Sequence, residues 1–441
     1  MYKKIALVFG FFTFSSTLFA QKATEVLTLE NAVATALERN YAIKVAKTQV
    51  KLAENDNTRG NAGMLPTVIG TAQPNATLNN TNQTFFDAVR PPLEQRGILN
   101  RSLAASVQMT WTLFDGMSMY ILKNRLEELV KSGEAQAQVT LETTVANVVN
   151  TYYTVVQLAQ QVRTYEDALV ISRERRRLAK DRFDIGQGSK VDFLNSQVDF
   201  NADTSILIAQ RQVLVNTKTQ LNQLLARDLG TDFRTADTLL LERNLIFESL
   251  REQTLSQNPQ LIVARYNNRV ANLDIKNQQA LLWPTVDLLT SYAYNAQWNG
   301  GSGFGVKSGN STNLVGGIRL SSTIFDGLNQ RRRIQGARIT EEITRQQEED
   351  LKLQLLSNLE QTYASYRNNL NLLDLEYQNL SVAQQNVRIA FDRYKIGVTG
   401  SLELREAQRN AVAAETRLIQ AQFNAKLSEV ELMRLSSQIV R

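Results

Sequence analysis

The chain has 441 residues and a formal net charge of +6, and it contains neither cysteine nor histidine. Without these two residue types it cannot form a disulfide, a thiol nucleophile, a Ser/His/Asp triad or the usual zinc sites. The small basic excess argues against nucleic acid as a partner. We therefore expect no cofactor, no metal site and no enzymatic activity, with a hydrolase built on carboxylates as the enzyme class that stays open.

The N-terminus has the layout of a cleavable secretory signal. Lys3 and Lys4 precede an apolar run at residues 5–14, and Ala20 is an acceptable residue before a cut. No later apolar stretch approaches the roughly 20 residues that a membrane-spanning helix needs. We predict that residues 1–20 are a signal peptide and that no transmembrane helix follows it.

The rest of the chain carries an internal repeat, which indicates the architecture. Leu113-Phe114-Asp115-Gly116 returns 211 positions later as Ile324-Phe325-Asp326-Gly327, and residues 182–186 return as residues 393–397 with the same shift. An earlier group, residues 37–66, returns 218 positions later. The difference places a loop-bearing insert in each repeat, at about residues 66–113 and 284–324. We predict a first repeat over residues 21–245 and a second over residues 246–441.

Outside the inserts the pattern is helical. All six prolines lie in the inserts or at the start of an element, which allows long uninterrupted helices. Apolar residues follow one another at alternating steps of four and three, the heptad pattern of packed helices, at Leu141, Val145, Val148, Tyr152, Val155, Leu356, Leu359, Tyr363 and Tyr366. Helices over residues 117–183 and 328–394 would each be about 100 Å long. Shorter helices over residues 29–65 and 190–229 would stack alongside one long helix.

Inside the inserts the period changes to two, as in a strand with one polar face. Apolar residues alternate with polar ones in both inserts, at Val107, Met109, Trp111, Leu113, Ile318, Leu320 and Ile324. Each insert is therefore predicted to be one β-hairpin. Tyr292, Tyr294 and Trp298 share one face, as in a lipid-facing barrel wall, although an ordinary sheet core stays open as an alternative.

Two hairpins supply four strands per chain, and known single-chain barrels have at least eight. Because an open sheet edge cannot face lipid, the barrel has to be shared between chains, and three chains give twelve strands. The predicted fold is mainly α with a membrane β-barrel portion: a duplicated long α-hairpin plus β-hairpin, assembled as a trimeric 12-stranded barrel that continues as an α-helical barrel. The rival is a periplasmic coiled-coil adaptor or tether with a small water-soluble sheet.

These motifs resemble the TolC family of outer-membrane factors throughout the mature chain. The opening stretch from Leu27-Thr28-Leu29-Glu30 to Asn40 is similar to that family's opening motif, and the Phe-Asp-Gly and tip-glycine signals occur twice in order. The resemblance implies a homotrimeric channel in the bacterial outer membrane that extends into the periplasm. It also implies its partners: a periplasmic adaptor and an inner-membrane pump of resistance-nodulation-division (RND) or ABC type, which deliver substrate for efflux or type I secretion.

The resemblance also assigns residues at the periplasmic tip. Asp192 and Tyr394 match positions that link neighbouring helices and hold the entrance shut in the family. The acidic constriction ring matches Glu403 and Glu406, which are alternatively acids favoured at a helix start. Adaptor docking is implied for the tip glycines, which are alternatively ordinary helix stops: Gly186, Gly188, Gly397 and Gly400.

The sequence departs from the family at the tip, because Thr399 stands where the family has a locking arginine. The resemblance therefore implies that ionic latch only if Lys395 replaces the arginine. Two basic runs are expected to be solvated helix faces, and they comprise Arg173, Arg175, Arg176 and Arg177, and Arg331, Arg332 and Arg333. The second run lies just past a predicted strand end, where lipid headgroups are an alternative partner.

Overall fold

The computed structural model describes residues 25–87, 89–236, 239, 241–301 and 306–440, so the predicted signal peptide lies outside the described residues. The elements in chain order are β1 (Glu25–Leu27), α1 (Leu29–Arg39), α2 (Tyr41–Asp56), β2 (Thr67–Gln83), β3 (Leu93–Phe114), α3 (Ser118–Asp184), α4 (Lys190–Leu224), β4 (Phe233–Thr235), α5 (Phe247–Gln257), α6 (Pro259–Ala280), β5 (Thr285–Trp298), β6 (Ser308–Ser321), α7 (Asn329–Lys395) and α8 (Ser401–Leu435).

The two long helices, α3 and α7, have 67 residues each. Both begin and end one residue later than the sequence pattern predicts. The heptad positions are buried, since Val145, Val148 and Val155 in α3 and Leu359 in α7 have no exposed surface. Burial of this apolar stripe, rather than helix propensity, stabilises helices of such length.

The shorter helices differ from the prediction. One helix was expected over residues 29–65, but it divides at Asn40 and ends at Asp56. The Asn40 side chain accepts hydrogen bonds from the amides of Ala42 and Ile43 and so begins a new helix, α2. Its repeat counterpart Asn258 caps α6 in the same way, because its Oδ1 accepts from the Gln260 amide at 2.9 Å.

The four long strands form an antiparallel sheet in the order β2-β3-β5-β6. Directly paired residues share a face, and Trp111, Leu288 and Ile318 lie on an apolar one. The opposite face carries polar side chains such as Thr71 and Ser106, which share a hydrogen bond of 2.9 Å. Within the described residues, the outer edges of β2 and β6 have no strand partner.

Both Phe-Asp-Gly motifs are strand-to-helix turns. Asp115 Oδ2 accepts from the Met119 amide at 2.9 Å, and Asp326 Oδ2 accepts from the Gln330 amide at 2.7 Å. Each aspartate therefore satisfies a free amide in the first turn of a long helix. The glycine that follows has a positive φ in both turns, which favours a residue without a Cβ.

By their contacts, the residues form two compact units, each drawn from three stretches of chain. Among the described residues, the first unit is drawn from the ranges 25–38, 148–239 and 372–423, and the second from the ranges 39–147, 241–371 and 424–440. The division into successive repeats at residue 245 stays a prediction. No helix in the described part of the chain is both long enough and apolar enough to cross a membrane.

Each unit has its own core. A cluster around Tyr394 and Leu404 lies in the first unit, where β1 also pairs in parallel with β4. A larger cluster in the second unit surrounds Leu359, Tyr366 and Leu432. The tip residues identified in the sequence all belong to the first unit, and one of them, Tyr394, is part of its core cluster.

Candidate functional site

The turn between α3 and α4 ends the first long helix at a glycine. Gly186 has a φ of +76°, in the left-handed region that favours glycine. Its amide donates to the Phe183 carbonyl at 3.0 Å, and the Gln187 amide donates to the Arg182 carbonyl at 2.8 Å. These two bonds are the Schellman pattern, which satisfies the free carbonyls of a helix end.

The turn between α7 and α8 repeats this geometry. Gly397 has a φ of +81°. Its amide donates to the Tyr394 carbonyl at 3.1 Å, and the Val398 amide donates to the Arg393 carbonyl at 3.0 Å. The helix-stop role of both glycines is therefore visible in the backbone, while their role in adaptor docking stays a prediction.

The second glycine of each turn is placed differently. A Cβ on Gly188 would lie 2.9 Å from the Cβ of Arg182 and 3.1 Å from the backbone nitrogen of Phe183, which is too close. A Cβ on Gly400 would have no heavy atom within 4 Å among the described residues. The first turn therefore excludes a side chain, whereas the second leaves room for one.

Tyr394 is buried at this tip, with 3% of its surface exposed. Its ring lies under the Arg182 guanidinium at 4.6 Å, and Arg182 Nη2 also donates to its backbone carbonyl. Burial raises the pKa of the Tyr394 phenol, and the charge of Arg182 opposes that rise. Tyr394 thus fixes the end of α7 against α3 as a packed, neutral side chain.

Asp192 is exposed at the start of α4. Its Oδ1 accepts from the Ser401 hydroxyl at 3.1 Å, which joins the start of α4 to the start of α8. Among the described residues, no hydrogen bond joins Asp192 to Tyr394. The two residues are near enough for the Asp192 charge to contribute to the raised Tyr394 pKa, and their gating role stays a prediction.

The acids predicted to form the constriction lie in the first two turns of α8. Glu403 is 52% exposed and pairs with Arg393 at 3.3 Å, across the turn from α7. Glu406 is 62% exposed and lies 4.0 Å from Arg409 on its own helix. Both carboxylates face solvent, and a guanidinium partly offsets the charge of each.

The latch position has a local role in this chain. Thr399 is buried, and its hydroxyl donates to the Gly400 carbonyl at 3.2 Å. The ammonium of Lys395 lies over the Phe391 ring at 4.3 Å. Replacement of the family arginine by Lys395 stays a prediction.

The expectation that the first basic run is a solvated face is wrong for Arg175, which is 1% exposed. Arg173 and Arg177 are exposed as expected, whereas Arg176 is half-buried over the Phe200 ring at 4.2 Å. Arg175 instead points into the contact between α3 and α4, where its Nη2 binds Asp199 at 2.6 Å. Burial lowers the pKa of Arg175, and the Asp199 carboxylate opposes that change.

The ion pair of Arg175 is part of a network that also includes α8. Arg405 binds Asp203 at 2.8 Å and lies 3.6 Å from Asp199. Asp203 also accepts from the hydroxyl of Ser172, and that hydroxyl accepts from Gln408 at 2.8 Å. A network of buried and partly buried charges therefore connects α3, α4 and α8 near the tip.

The sequence contained a signal for this network that periodicity alone did not reveal. Ala168, Ser172 and Ala179 form a row of small buried residues in α3, and Arg175 stands within that row. A long basic side chain among small buried neighbours indicates an internal partner, since an unpaired buried charge is costly. The repeated motif likewise singled out Arg182, but the sequence could not identify its partner, the Tyr394 carbonyl, because that contact depends on tertiary structure.

The comparisons with known proteins agree with this geometry. The family model for the outer membrane efflux protein matches residues 32–227 and 250–438. Protein CyaE of Bordetella pertussis is 25% identical over 94% of this chain and 85% of its own length. The outer membrane efflux protein BepC of Brucella suis is 20% identical over 96% of this chain and 88% of its own length.

A solved structure shows the same fold. The Campylobacter jejuni CmeC outer membrane channel superposes with a TM-score of 0.78 at 14% identity, over 93% of this chain and 85% of that one. The predicted fold class, helical with a β portion, is therefore confirmed, as is the predicted location in the outer membrane with an extension into the periplasm. The chain belongs to the outer membrane efflux protein family, whose members are outer-membrane channels.

Proposed function

We propose that this chain is the exit duct of a tripartite efflux or type I secretion system and carries out no chemistry itself. Three copies form a homotrimer, in which twelve strands close a barrel in the outer membrane and the helices continue as a tunnel through the periplasm. The duct receives substrate from an inner-membrane RND or ABC pump through a periplasmic adaptor. Each copy is built from two repeats, residues 21–245 and 246–441.

The sheet is the observation that carries this proposal. Leu314, Ile318 and Leu320 on β6 are 70% exposed or more and share the apolar face. Water disfavours such a surface, and lipid disfavours the open edges of β2 and β6 because their backbone groups lack partners there. Closure of the sheet by further copies satisfies both requirements. The sequence similarity to BepC, which is an outer membrane efflux protein, supports the same role.

The tip forms the entrance in this proposal. Glu403 and Glu406 from three copies place six carboxylates around the opening, which attracts cations. Asp192 and Tyr394 hold the entrance closed, and the turns at Gly186, Gly188, Gly397 and Gly400 receive the adaptor. The exposure of both carboxylates and the matching backbone of the two turns support these roles.

The mass of unheated protein extracted from the outer membrane tests the assembly. Light scattering corrected for bound detergent is expected to give three times the chain mass. A water-soluble monomer or dimer that needs no detergent would contradict the duct and favour the coiled-coil tether.

A further inference from the structure

The turns between strands and helices lie along one edge of the sheet. β5 begins at Thr285 opposite the last residue of β6, Ser321, and β3 ends at Phe114 opposite Val286. The segment 322–328, which leads into α7, therefore lies beside the end of α6 and the start of β5. In the proposed assembly this edge is the periplasmic boundary of the bilayer.

Large apolar side chains are exposed along this edge. Ile324 is 98% exposed, Phe325 is 78% exposed, and Trp283 is 65% exposed. They lie just beyond the paired ends of β5 and β6, where Ile318 and Leu320 on β6 present the apolar face. Aromatic residues at the end of a lipid-facing apolar band are typical of the boundary between acyl chains and headgroups.

Three arginines follow within the first turns of α7. Arg331, Arg332 and Arg333 are all exposed. Arg333 lies 3.4 Å from Asp326 and donates to the Gln330 side chain at 2.9 Å. Within the described part of the chain, Arg331 and Arg332 form no ion pair. Residues 322–333, which form this edge, contain three arginines and one aspartate, so the edge is basic.

The position of these arginines is locally unfavourable. The start of a helix carries a partial positive charge, which disfavours cations in the first turn. The fold does not require them either, because the first repeat has Tyr120, Ile121 and Leu122 at the equivalent positions, 211 residues earlier. An anionic partner outside the chain would account for basic residues at a position that the helix itself disfavours.

We infer that Arg331 and Arg332 bind the phosphate groups of anionic phospholipids in the periplasmic leaflet. Ile324, Phe325 and Trp283 then lie among the parts of the acyl chains that are next to the headgroups. The inference rests on the proposed function, because it requires the strands to lie in a bilayer. A guanidinium recognises phosphate through charge and paired donors, and basic residues beside a membrane favour anionic headgroups. The first repeat contributes Tyr120 at the same depth, so basic and aromatic contacts alternate around the rim.

Native mass spectrometry of the delipidated protein tests this inference, with phosphatidylglycerol and phosphatidylcholine as matched probes. The wild type is expected to retain phosphatidylglycerol preferentially. In R331Q/R332Q that preference falls about 25-fold, at roughly fivefold per arginine. The matched control R367Q/R388Q, which removes two exposed arginines about 52 Å or more along the same helix, is expected to keep it.

A purely structural role predicts a different pattern. Removal of two cations from a helix start does not weaken α7, so R331Q/R332Q should keep the wild-type melting temperature while it loses lipid selectivity. Equal retention of the two lipids by the wild type, or unchanged selectivity in R331Q/R332Q, would overturn the inference. Loss of trimer mass in R331Q/R332Q would also overturn it, since a neighbouring copy would then be the partner. The same spectra also give the mass of the wild-type oligomer. A wild-type mass other than that of a trimer would refute the proposed function, whatever the lipid selectivity.

Discussion

The Phe-Asp-Gly turn occurs once in each repeat, with nearly the same backbone and different surroundings. Gly116 and Gly327 have φ values of +71° and +68°, yet a Cβ on Gly116 would overlap the Ala280 carbonyl, whereas one on Gly327 would approach nothing closer than Asn329 Nδ2 at 3.7 Å. The turn itself depends on local backbone chemistry, which both repeats retain. The packing around it has diverged, so equivalent substitutions should have unequal effects.

The tip shows the same divergence. Asp192 and Glu403 are equivalent positions, as are Arg182 and Arg393. In the second repeat Arg393 pairs with Glu403 at 3.3 Å, whereas in the first repeat Arg182 binds the carbonyl and ring of Tyr394. The repeated motif thus supplies an arginine at each turn, and the surrounding helices decide what it binds.

The largest effect is expected at the buried network, which has no counterpart in the second repeat because Asn386 stands at the position equivalent to Arg175. Arg175→Met removes the nearest partner of Asp199 and should cost about 3 kcal/mol, the lower end for a broken buried pair, since Asp199 is partly exposed. Hydrogen exchange of the α3 amides around residue 175 measures this loss. Arg173→Met, two residues away and exposed, is the control, and equal exchange in both variants would contradict the network.

The Phe-Asp-Gly turns provide the next contrast. Gly116→Ala should destabilise the protein by about 2 kcal/mol more than Gly327→Ala. Both variants place an alanine at a positive φ, but only the Cβ at position 116 would also force the end of α6 away from the turn. Thermal unfolding of the two variants under identical detergent conditions measures the difference. Equal melting temperatures would show that the two turns tolerate a side chain alike.

A smaller effect concerns Glu429, whose repeat counterpart is the lysine Lys218. Glu429 is 3% exposed, and its burial raises the pKa of its carboxyl, although Lys426 at 2.7 Å opposes the rise. A carboxyl whose pKa is raised by folding favours the folded state when protonated. The free energy of unfolding should therefore fall as the pH rises from the pKa of a glutamate in the unfolded chain through the higher pKa of Glu429 in the folded protein.

Glu429→Gln removes this dependence. The melting temperature of the variant relative to the wild type should increase as the pH is raised from about 4 to 8. Glu431→Gln, two residues away and 38% exposed at its side chain, is the control for a general charge effect. A constant difference between E429Q and the wild type at all pH values would refute the role of Glu429.

The smallest expected effect is on ion selectivity at the tip. E403Q/E406Q should reduce the cation preference of single channels, whereas Arg393→Gln should increase it, because that guanidinium offsets the Glu403 charge. Recordings at low salt maximise the difference, since screening weakens exposed charges. E248Q/E252Q, two exposed acids on α5, should leave selectivity unchanged, and the ring is rejected if E403Q/E406Q does the same.

Much of the fold could be predicted because it depends on patterns that span many residues. The two 67-residue helices follow from the missing prolines and the heptad seam, and the sheet follows from the period of two around Trp111 and Ile318. The break at Asn40 was missed, because one capping side chain ends a helix without altering the apolar periodicity. The burial of Arg175 was missed because its partner Asp199, which Arg405 of α8 also approaches, is brought to it by another helix, α4.

The central claim is that the sheet closes through contact between β2 of one copy and β6 of the next. The chain has no cysteine, so Ala76→Cys on β2 can be combined in turn with a cysteine at each of positions 308–316 on β6. A disulfide requires Cα atoms about 4.4–6.8 Å apart, so the correct register should yield a covalent trimer in the oxidised membrane fraction. Ala293→Cys on the interior strand β5 is the control, which should yield no crosslink between copies. Absence of a covalent trimer at every β6 position would contradict the shared barrel.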